Sequence, residues 1–526
     1  MNVIRWIASK RHPEPNKWVI ALSVMVGAFM AVLDVSVVNV ALPHMMGSFG
    51  QNISAITWVA TAYSIAAVIM VTMAGWWTTL VGRKKFYLAS FFVFIVGSVL
   101  AGMSRTFPQM ILFRVIQGIG GGSLVPLAQA IVRETFPRKE QGMAMALFAM
   151  GVVLAPAVGP VLGGWLTDHY GWQWIFYINV PVSIVGVTLV TLFVHDPPYL
   201  TRGIKKIDVG GIVLLALGLT GLQTILERGQ QVNWFDSPAI VWGSVATLLV
   251  LVSLVIRELR TPEPVVNFRL FRNVQFRMGV LVVMLFGVAL YGTTFILPQF
   301  TQQLLGYPAF QAGLVLMPRA VALFFMLPLV GRLYNHFDPR YLMVFGIAVV
   351  SASYYRLAHL ATTAAQDNIV PILILMGAGM PFLFVSLTTA TLSTVSKRDM
   401  TAASGIFNLF QQVGGNFGYA VMATLLERFS QIHHAYLGEH IAFGSYGLTM
   451  FFQQARAVMF RAGMALDRAG EAAAALINRL VTRQAEMMAY NDISLFLMFM
   501  FLICVPVVLS MPIRKGQWEK PDAVEI

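Results

Sequence analysis

Fourteen apolar stretches, each about as long as a bilayer is thick, leave this chain one kind of fold. They lie near residues 18–42, 54–78, 86–103, 109–132, 143–166, 174–194, 209–226, 238–256, 277–301, 310–333, 340–360, 369–394, 402–426 and 492–512. A crossing helix takes about 20 residues, and the whole chain has 526. Only 11% of its residues are charged and 57% are hydrophobic, whereas an ordinary soluble domain is roughly a quarter charged. A soluble globule is therefore excluded, and the fold class is an all-α polytopic membrane protein. The first stretch is too long for a cleavable signal peptide, and Asp34 interrupts it with no small-residue cleavage site following. The single cysteine, Cys504, lies inside an apolar run, so no intramolecular disulfide can form.

The formal charge of +13 would suggest nucleic acid in a soluble protein, but here the lysines and arginines sort by side. Positions 5, 10, 11, 17, 83–85, 133, 138, 139, 202, 205, 206, 257, 260, 269, 272, 277, 332, 340, 397, 398, 514, 515 and 520 all fall on one side of the fourteen crossings. The short loops opposite hold only Arg105 and Arg228. The positive-inside rule then places both termini in the cytoplasm, with the lipid bilayer as partner and no nucleic acid. One long excursion, residues 427–491, is external. Its second half alternates Val458, Ala462, Leu466, Leu476 and Leu480 with Arg456, Arg461, Asp467 and Arg483, the pattern of an amphipathic helical hairpin. That hairpin either packs on itself and the membrane or docks a partner protein.

An internal repeat divides the chain. The turn Gly75-Trp-Trp-Thr-Thr-Leu-Val-Gly82-Arg83-Lys84 aligns without a gap on Gly331-Arg-Leu-Tyr-Asn-His-Phe-Asp338-Pro339-Arg340, 256 residues later. Two six-helix bundles follow, residues 1–200 and 261–526, with two inserted crossings in 201–260. Parallel six-helix repeats are an architecture of secondary transporters, with the substrate site between the halves near the midplane.

Several residues within the spans could carry chemistry. An acid inside an apolar helix is costly unless paired, neutral or wet, so Asp34 is a candidate functional group. At about 1.5 Å per residue, it and Arg114 reach similar depths in the outer half of the bilayer. Burial favours the neutral acid and a neighbouring cation favours the carboxylate, opposed pulls that suit a proton switch; a purely structural buried pair is the other reading. Gly151, Gly159 and Gly163 recur at helical spacing with Pro156, Pro160 and Gly164 beside them, a small-residue groove that permits close helix approach. Arg319 sits in the tenth span, where a cation needs a wet cavity or a partner. Asn39, Gln117, Gln299 and Gln411 could bind substrate, and Tyr63, Tyr291 and Phe407 could form an adaptable apolar wall; interhelical packing is the competing reading for each.

Other function classes lack their residues. There is no phosphate-binding Gly-x-x-x-x-Gly-Lys-Ser/Thr loop, so ATP coupling is unsupported and a proton gradient, with no cofactor, is the expected energy source. His433, His434, Glu439 and His440 lack zinc-protease spacing, and no nucleophile–base pair points to an enzyme. With one buried acid and two buried arginines, hydrophobic neutral or weakly acidic compounds are favoured over dications.

The stretches Leu33-Asp34-Val-Ser-Val-Val-Asn39-Val-Ala-Leu-Pro43, Arg114-Val-Ile-Gln117-Gly118, Gly159-Pro160-Val-Leu-Gly163-Gly164 and Trp172-Gln-Trp174-Ile-Phe176-Tyr-Ile-Asn179-Val-Pro181 together resemble the major facilitator superfamily. Within it they are similar to the 14-span drug:proton antiporters. The external segment ending in Ala489-Tyr490-Asn491-Asp492 further resembles the EmrB-like permeases of Gram-negative tripartite efflux systems. The resemblance implies the major facilitator fold, two six-helix bundles plus two inserted helices. It also implies proton-coupled multidrug efflux by alternating access across the bacterial inner membrane, with Asp34 as the coupling acid beside Arg114. From Gly151 to Gly164 it implies an antiporter motif, and around Gly75, Gly82 and Arg83 a cytoplasmic loop motif. A periplasmic membrane-fusion adaptor and an outer-membrane channel are the implied partners. A dedicated exporter or importer of a small metabolite or siderophore is the alternative on the same fold. The loop motif departs from the family where it has Thr79 and Leu80 instead of an acid and a base, which weakens a charge latch there.

Overall fold

The computed structural model describes residues 16–196, 207–440 and 446–513. The basic residues at 5, 10, 11, 202, 205, 206, 514, 515 and 520 lie outside them. Every regular element among the described residues is helical. They are α1 (Lys17–Phe49), α2 (Trp58–Val81), α3 (Arg83–Gly102), α4 (Phe107–Gly121, resuming as Leu124–Thr135), α5 (Gln141–Tyr170), α6 (Asn179–Phe193), α7 (Val209–Arg228) and α8 (Pro238–Arg260). After a basic loop come α9 (Val274–Gln299), α10 (Ala309–Leu333), α11 (Pro339–Leu357), α12 (Gln366–Leu392), α13 (Met400–His440), α14 (Tyr446–Arg461) and α15 (Leu466–Ser510). Twelve of these stretches are long and apolar enough to cross a membrane on composition alone. The other two expected spans, α11 and α13, carry too many polar residues to qualify that way, yet both are helices packed inside the bundle.

Local chemistry sets several helix starts. Asn16, Asp208, Asn273 and Asp338 each accept a hydrogen bond from a backbone N–H in the first turn of α1, α7, α9 and α11, satisfying donors that a helix start leaves unpaired. Asp208 also accepts from Arg257 at 2.7 and 2.9 Å. Burial pushes this carboxyl upward, but the Arg257 and Gly211 hydrogen bonds outweigh it and hold it below the usual carboxylate range.

Two cores form on either side of the chain's middle. Phe86, Tyr87, Phe91, Phe94 and Phe148 pack with α1 in one, and Phe286, Tyr354, Met376, Met380 and Phe501 centre the other. The pair α7–α8 lies beside them and exposes Val213, Leu217, Trp242 and Leu248, side chains suited to lipid rather than water. Away from the basic loops, α7 and its following turn bridge α2 to α13. Thr61 bonds Glu227, Arg228 stacks 4.9 Å over the Trp58 ring, Asn416 donates to Gln223 at 2.5 Å and Trp234 donates to Thr424 at 2.9 Å.

The excursion after the thirteenth span takes an unexpected form. Instead of a separate hairpin followed by a span starting near 492, α13 runs for 41 residues and α15 for 45, which at about 1.5 Å per residue is roughly twice the ~30 Å hydrocarbon core. The helices simply continue past the bilayer. His433 meets Asp492 at 2.7 Å and His434 meets Asn478 at 3.2 Å along this projection. The chain reverses between α14 and α15 at Gly463, whose φ of +95° is strained for any residue with a Cβ.

The two cores meet at the basic end. A Cβ on Gly142 of α5 would stand 2.7 Å from the Gly331 carbonyl of α10, and one on Gly75 of α2 would stand 2.5 Å from Ala402 Cβ of α13. Between them Ala146, Ala149, Leu327, Val330 and Tyr334 form a closed apolar seam, and Asn408 Nδ2 donates to Gln129 Oε1 at 2.6 Å. Toward the other end the same α5 and α10 expose Val161, Trp165, Leu314 and Met317. The bundle is closed at its basic end.

Candidate functional site

Two close approaches build the site. A Cβ at Gly97 would fall 2.5 Å from the Gln117 nitrogen, and one at Gly118 would fall 2.5 Å from the Tyr63 carbonyl. Glycine at these positions lets α3 and α2 touch the backbone of α4, as small residues do between membrane helices. The contact brings Ser98 and Tyr63 against Arg114 and Gln117. The turn Trp174–Tyr177 then delivers Asn179 at the start of α6.

At the centre lies Asp34, 1% exposed, against Arg114, also 1% exposed. Arg114 Nη1 donates to Asp34 Oδ2 at 2.7 Å and to Gln117 Oε1 at 2.7 Å, while its Nε donates to the Val59 carbonyl at 2.9 Å. Its guanidinium lies 4.3 Å over the Tyr63 ring, a favourable cation–π placement. The other carboxylate oxygen, Asp34 Oδ1, accepts from Gln117 Nε2 at 2.8 Å and from Asn179 Nδ2 at 2.7 Å. Ser98 Oγ accepts from both amides, at 3.1 and 3.0 Å, and donates to the Phe176 carbonyl at 2.8 Å. Depth counting along the sequence matched the acid to the cation but could not supply Asn179, Ser98 or Val59. Asn179 and Ser98 are ordinary polar residues in apolar runs, and Val59 acts through its backbone.

The remaining sequence candidates divide. Gln117 and Tyr63 belong to the ion-pair cluster rather than to an open wall. Phe407 is fully buried in the second core. Asn39 is exposed, whereas Tyr291, Gln299, Arg319 and Gln411 are partly buried; Tyr291 packs edge-on to Tyr419 with ring centroids 5.8 Å apart. Among the described residues Arg319 makes no hydrogen bond or ion pair, and Tyr354 is the titratable group in electrostatic reach. At the 256-residue spacing of the repeat, Arg319 stands where the first half has Tyr63, and Tyr354 where it has Ser98. Of the α5 motif, Gly151, Gly159 and Gly163 face Met25, Ser36 and Val37 of α1. Gly164 has open space beside it, and Pro156 and Pro160 are exposed.

In the loop motif, Gly82 turns the chain with φ +92°. Arg83 is buried and bidentate on Glu134, at 2.5 and 2.9 Å. The acid missing near Thr79 and Leu80 thus comes from the end of α4, about fifty residues away along the chain. Lys84 N donates to Asp196 at 2.7 Å beside it.

Comparison with known proteins places this geometry. The family model described as Major Facilitator Superfamily matches residues 24–419. The multidrug export protein EmrB of Escherichia coli (strain K12) is 31% identical over 492 residues, covering 93% of this chain and 94% of that protein. The fatty acid resistance protein FarB of Neisseria gonorrhoeae is 30% identical, covering 93% and 95%. Among solved structures, the human organic anion transporter MFSD10 superposes with a TM-score of 0.60 at 13% identity, covering 93% of this chain and all of that one. The match of family model to most of the chain, and of the relatives to nearly all of it, shows that this chain belongs to the major facilitator superfamily.

Proposed function

We propose that this chain is a proton-driven multidrug efflux antiporter of the bacterial inner membrane, exporting hydrophobic neutral or weakly acidic compounds by alternating access. The observation that carries this reading is the Asp34 carboxylate, sealed inside the bundle and held by Arg114 at 2.7 Å. Two full-length relatives named for multidrug export and fatty acid resistance support the direction of transport and the substrate class. In this reading residues 1–200 and 261–526 are the moving halves, with the pair in 201–260 beside them, and the basic end faces the cytoplasm. The α5 motif from Gly151 to Gly164, packed on α1, then helps to seal one face during alternating access. One proton entering down the membrane potential supplies about 2.3 kcal/mol per 100 mV, enough to drive a modest outward gradient of a lipophile.

The substrate preference follows from charge. Asp34 is already neutralised by Arg114, and among the described residues Arg319 makes no ion pair, so the charge near the site favours neutral or anionic compounds over dications. Proteoliposomes with an imposed pH gradient should accumulate a lipophilic weak acid or neutral dye well above a bulky dication of similar size. Strong preference for the dication sinks the substrate class, and flux indifferent to the gradient sinks the antiporter.

The projecting ends of α13 and α15, with α14, reach beyond the bilayer and expose Tyr446, Val458 and Phe460. We infer a periplasmic adaptor, with an outer-membrane channel beyond it, as the partner of this projection. Deleting residues 430–488 should abolish recovery of the adaptor in a pull-down from detergent-solubilised membranes; equal recovery from both forms counts against the assignment.

A further inference from the structure

The donors around Asp34 constrain what happens when it takes a proton. Oδ2 faces the Arg114 guanidinium, and Oδ1 faces two amide NH2 groups. A protonated carboxyl has an O–H that needs an acceptor, and in this arrangement its hydrogen-bonded neighbours all present hydrogens. An amide can solve this by rotating half a turn to present its oxygen. Gln117 is not free to do so, because its Oε1 already accepts from Arg114 Nη1 at 2.7 Å and rotation would turn its NH2 toward a cation. Asn179 is under no such restraint. Its Nδ2 contacts only acceptors, Asp34 Oδ1 and Ser98 Oγ, and the serine hydroxyl can accept or donate as required.

We propose that Asn179 is a positioning residue for proton coupling: its amide donates to Asp34 when the acid is ionised and accepts from it when the acid is protonated. Because Asn179 opens α6 and Ser98 ties α3 to the turn before α6 through the Phe176 carbonyl, the same exchange transmits the charge state of Asp34 to two further helices. The charged and titratable groups facing Asp34 are Arg114 from α4 and Tyr63 from α2. Ser98 of α3 and Asn179 of α6 are neutral, and α5 has no titratable side chain between Gln141 and Thr167. The proton-dependent part of the network therefore runs through the Asn179 amide.

This inference rests on Asp34 being the coupling acid, and one experiment separates the two. Counterflow in proteoliposomes is measured from pH 5 to 9 for wild type, Asp34→Asn, Asn179→Leu and Ser98→Ala, together with proton-independent substrate exchange. Leucine keeps the branched skeleton of asparagine and removes both the donor to the ionised acid and the acceptor for the protonated one; the bond to the charged form is the stronger of the two, so its loss favours protonation. The pH of half-maximal counterflow should therefore rise by on the order of one unit, with exchange within about twofold of wild type. Ser98→Ala should move it the same way by less. A carboxyl band in the infrared spectrum of purified protein, absent in Asp34→Asn, should titrate with the same displacement and gives the answer even if a variant transports poorly. An unmoved midpoint and band in Asn179→Leu overturn the positioning role while leaving Asp34 in place. Wild-type counterflow that survives Asp34→Asn overturns both.

Discussion

Replacing Asp34 by asparagine is expected to reduce gradient-driven counterflow by on the order of a hundredfold or more, because the group that binds the transported proton is gone. Substrate binding should stay within about threefold, since binding and coupling are separate tasks in this reading. The substitution keeps the shape of the side chain, yet it alters the cluster in two ways. Arg114 loses its counter-charge and keeps only the Val59 carbonyl, the Gln117 oxygen and the Tyr63 ring. An amide NH2 placed where Oδ1 stood also faces the NH2 groups of Gln117 and Asn179, of which only Asn179 is free to rotate. Breaking one side of a buried pair commonly costs about 3–5 kcal/mol, so the variant should also be less stable, and its binding is to be measured on monodisperse protein. Counterflow equal to wild type moves the coupling site elsewhere and leaves Asp34 a structural residue.

The second large effect is expected at the closed end of the bundle. Gly142 allows α5 to lie against the Gly331 carbonyl, and any Cβ there would stand 2.7 Å from that oxygen and 2.9 Å from the Tyr334 ring. Gly142→Leu therefore opposes the closed arrangement specifically and leaves an arrangement with these ends apart unaffected. Overpacking a tight contact costs about 1–3 kcal/mol, which shifts the balance between the two arrangements by roughly 5- to 150-fold. The shift is readable at Gln129 and Asn408, whose hydrogen bond is buried between α4 and α13 in the closed form. With Cys504, the single cysteine, replaced by serine and a cysteine placed at Asn408, a membrane-impermeant maleimide should label Gly142→Leu at least about tenfold faster than its parent. Transport should fall in parallel, because a carrier held in one arrangement cannot cycle. Equal labelling and equal transport in both forms mean that the Gly142–Gly331 contact does not control access.

These two expectations draw on different kinds of information. Asp34 was legible in the sequence because an ionisable residue in a 20-residue apolar window stands out without any knowledge of neighbours. Counting rise per residue even matched its depth to Arg114. The crossings were legible for the same reason, as each depends on a local sum of transfer energies. The alternation of basic loops supported the count of fourteen, including α11 and α13, the most polar of the apolar stretches. The basic residues of the Gly75–Lys84 turn could likewise be read directly.

Tertiary structure alone decided who pairs with whom. Asn179 lies 145 positions from Asp34 and Glu134 lies 51 from Arg83. No periodicity links such residues; their meeting depends on how closely helix backbones approach at Gly97 and Gly118. In the sequence Gln117 and Tyr63 read as packing first and as substrate contacts second; that approach turned them toward Arg114. Closure at the basic end could not be read either, since a chain that works by exchanging two packings must encode both, and only a structure shows one of them. Length was misjudged for α13 and α15 because hydropathy ends where the lipid ends, whereas backbone hydrogen bonding carries a helix on into water. The sequence determined which segments must leave water and which charge stays inside them. The fold decided which hydrogen bonds make that charge tolerable, because they are long-range contacts between surfaces that local composition does not describe.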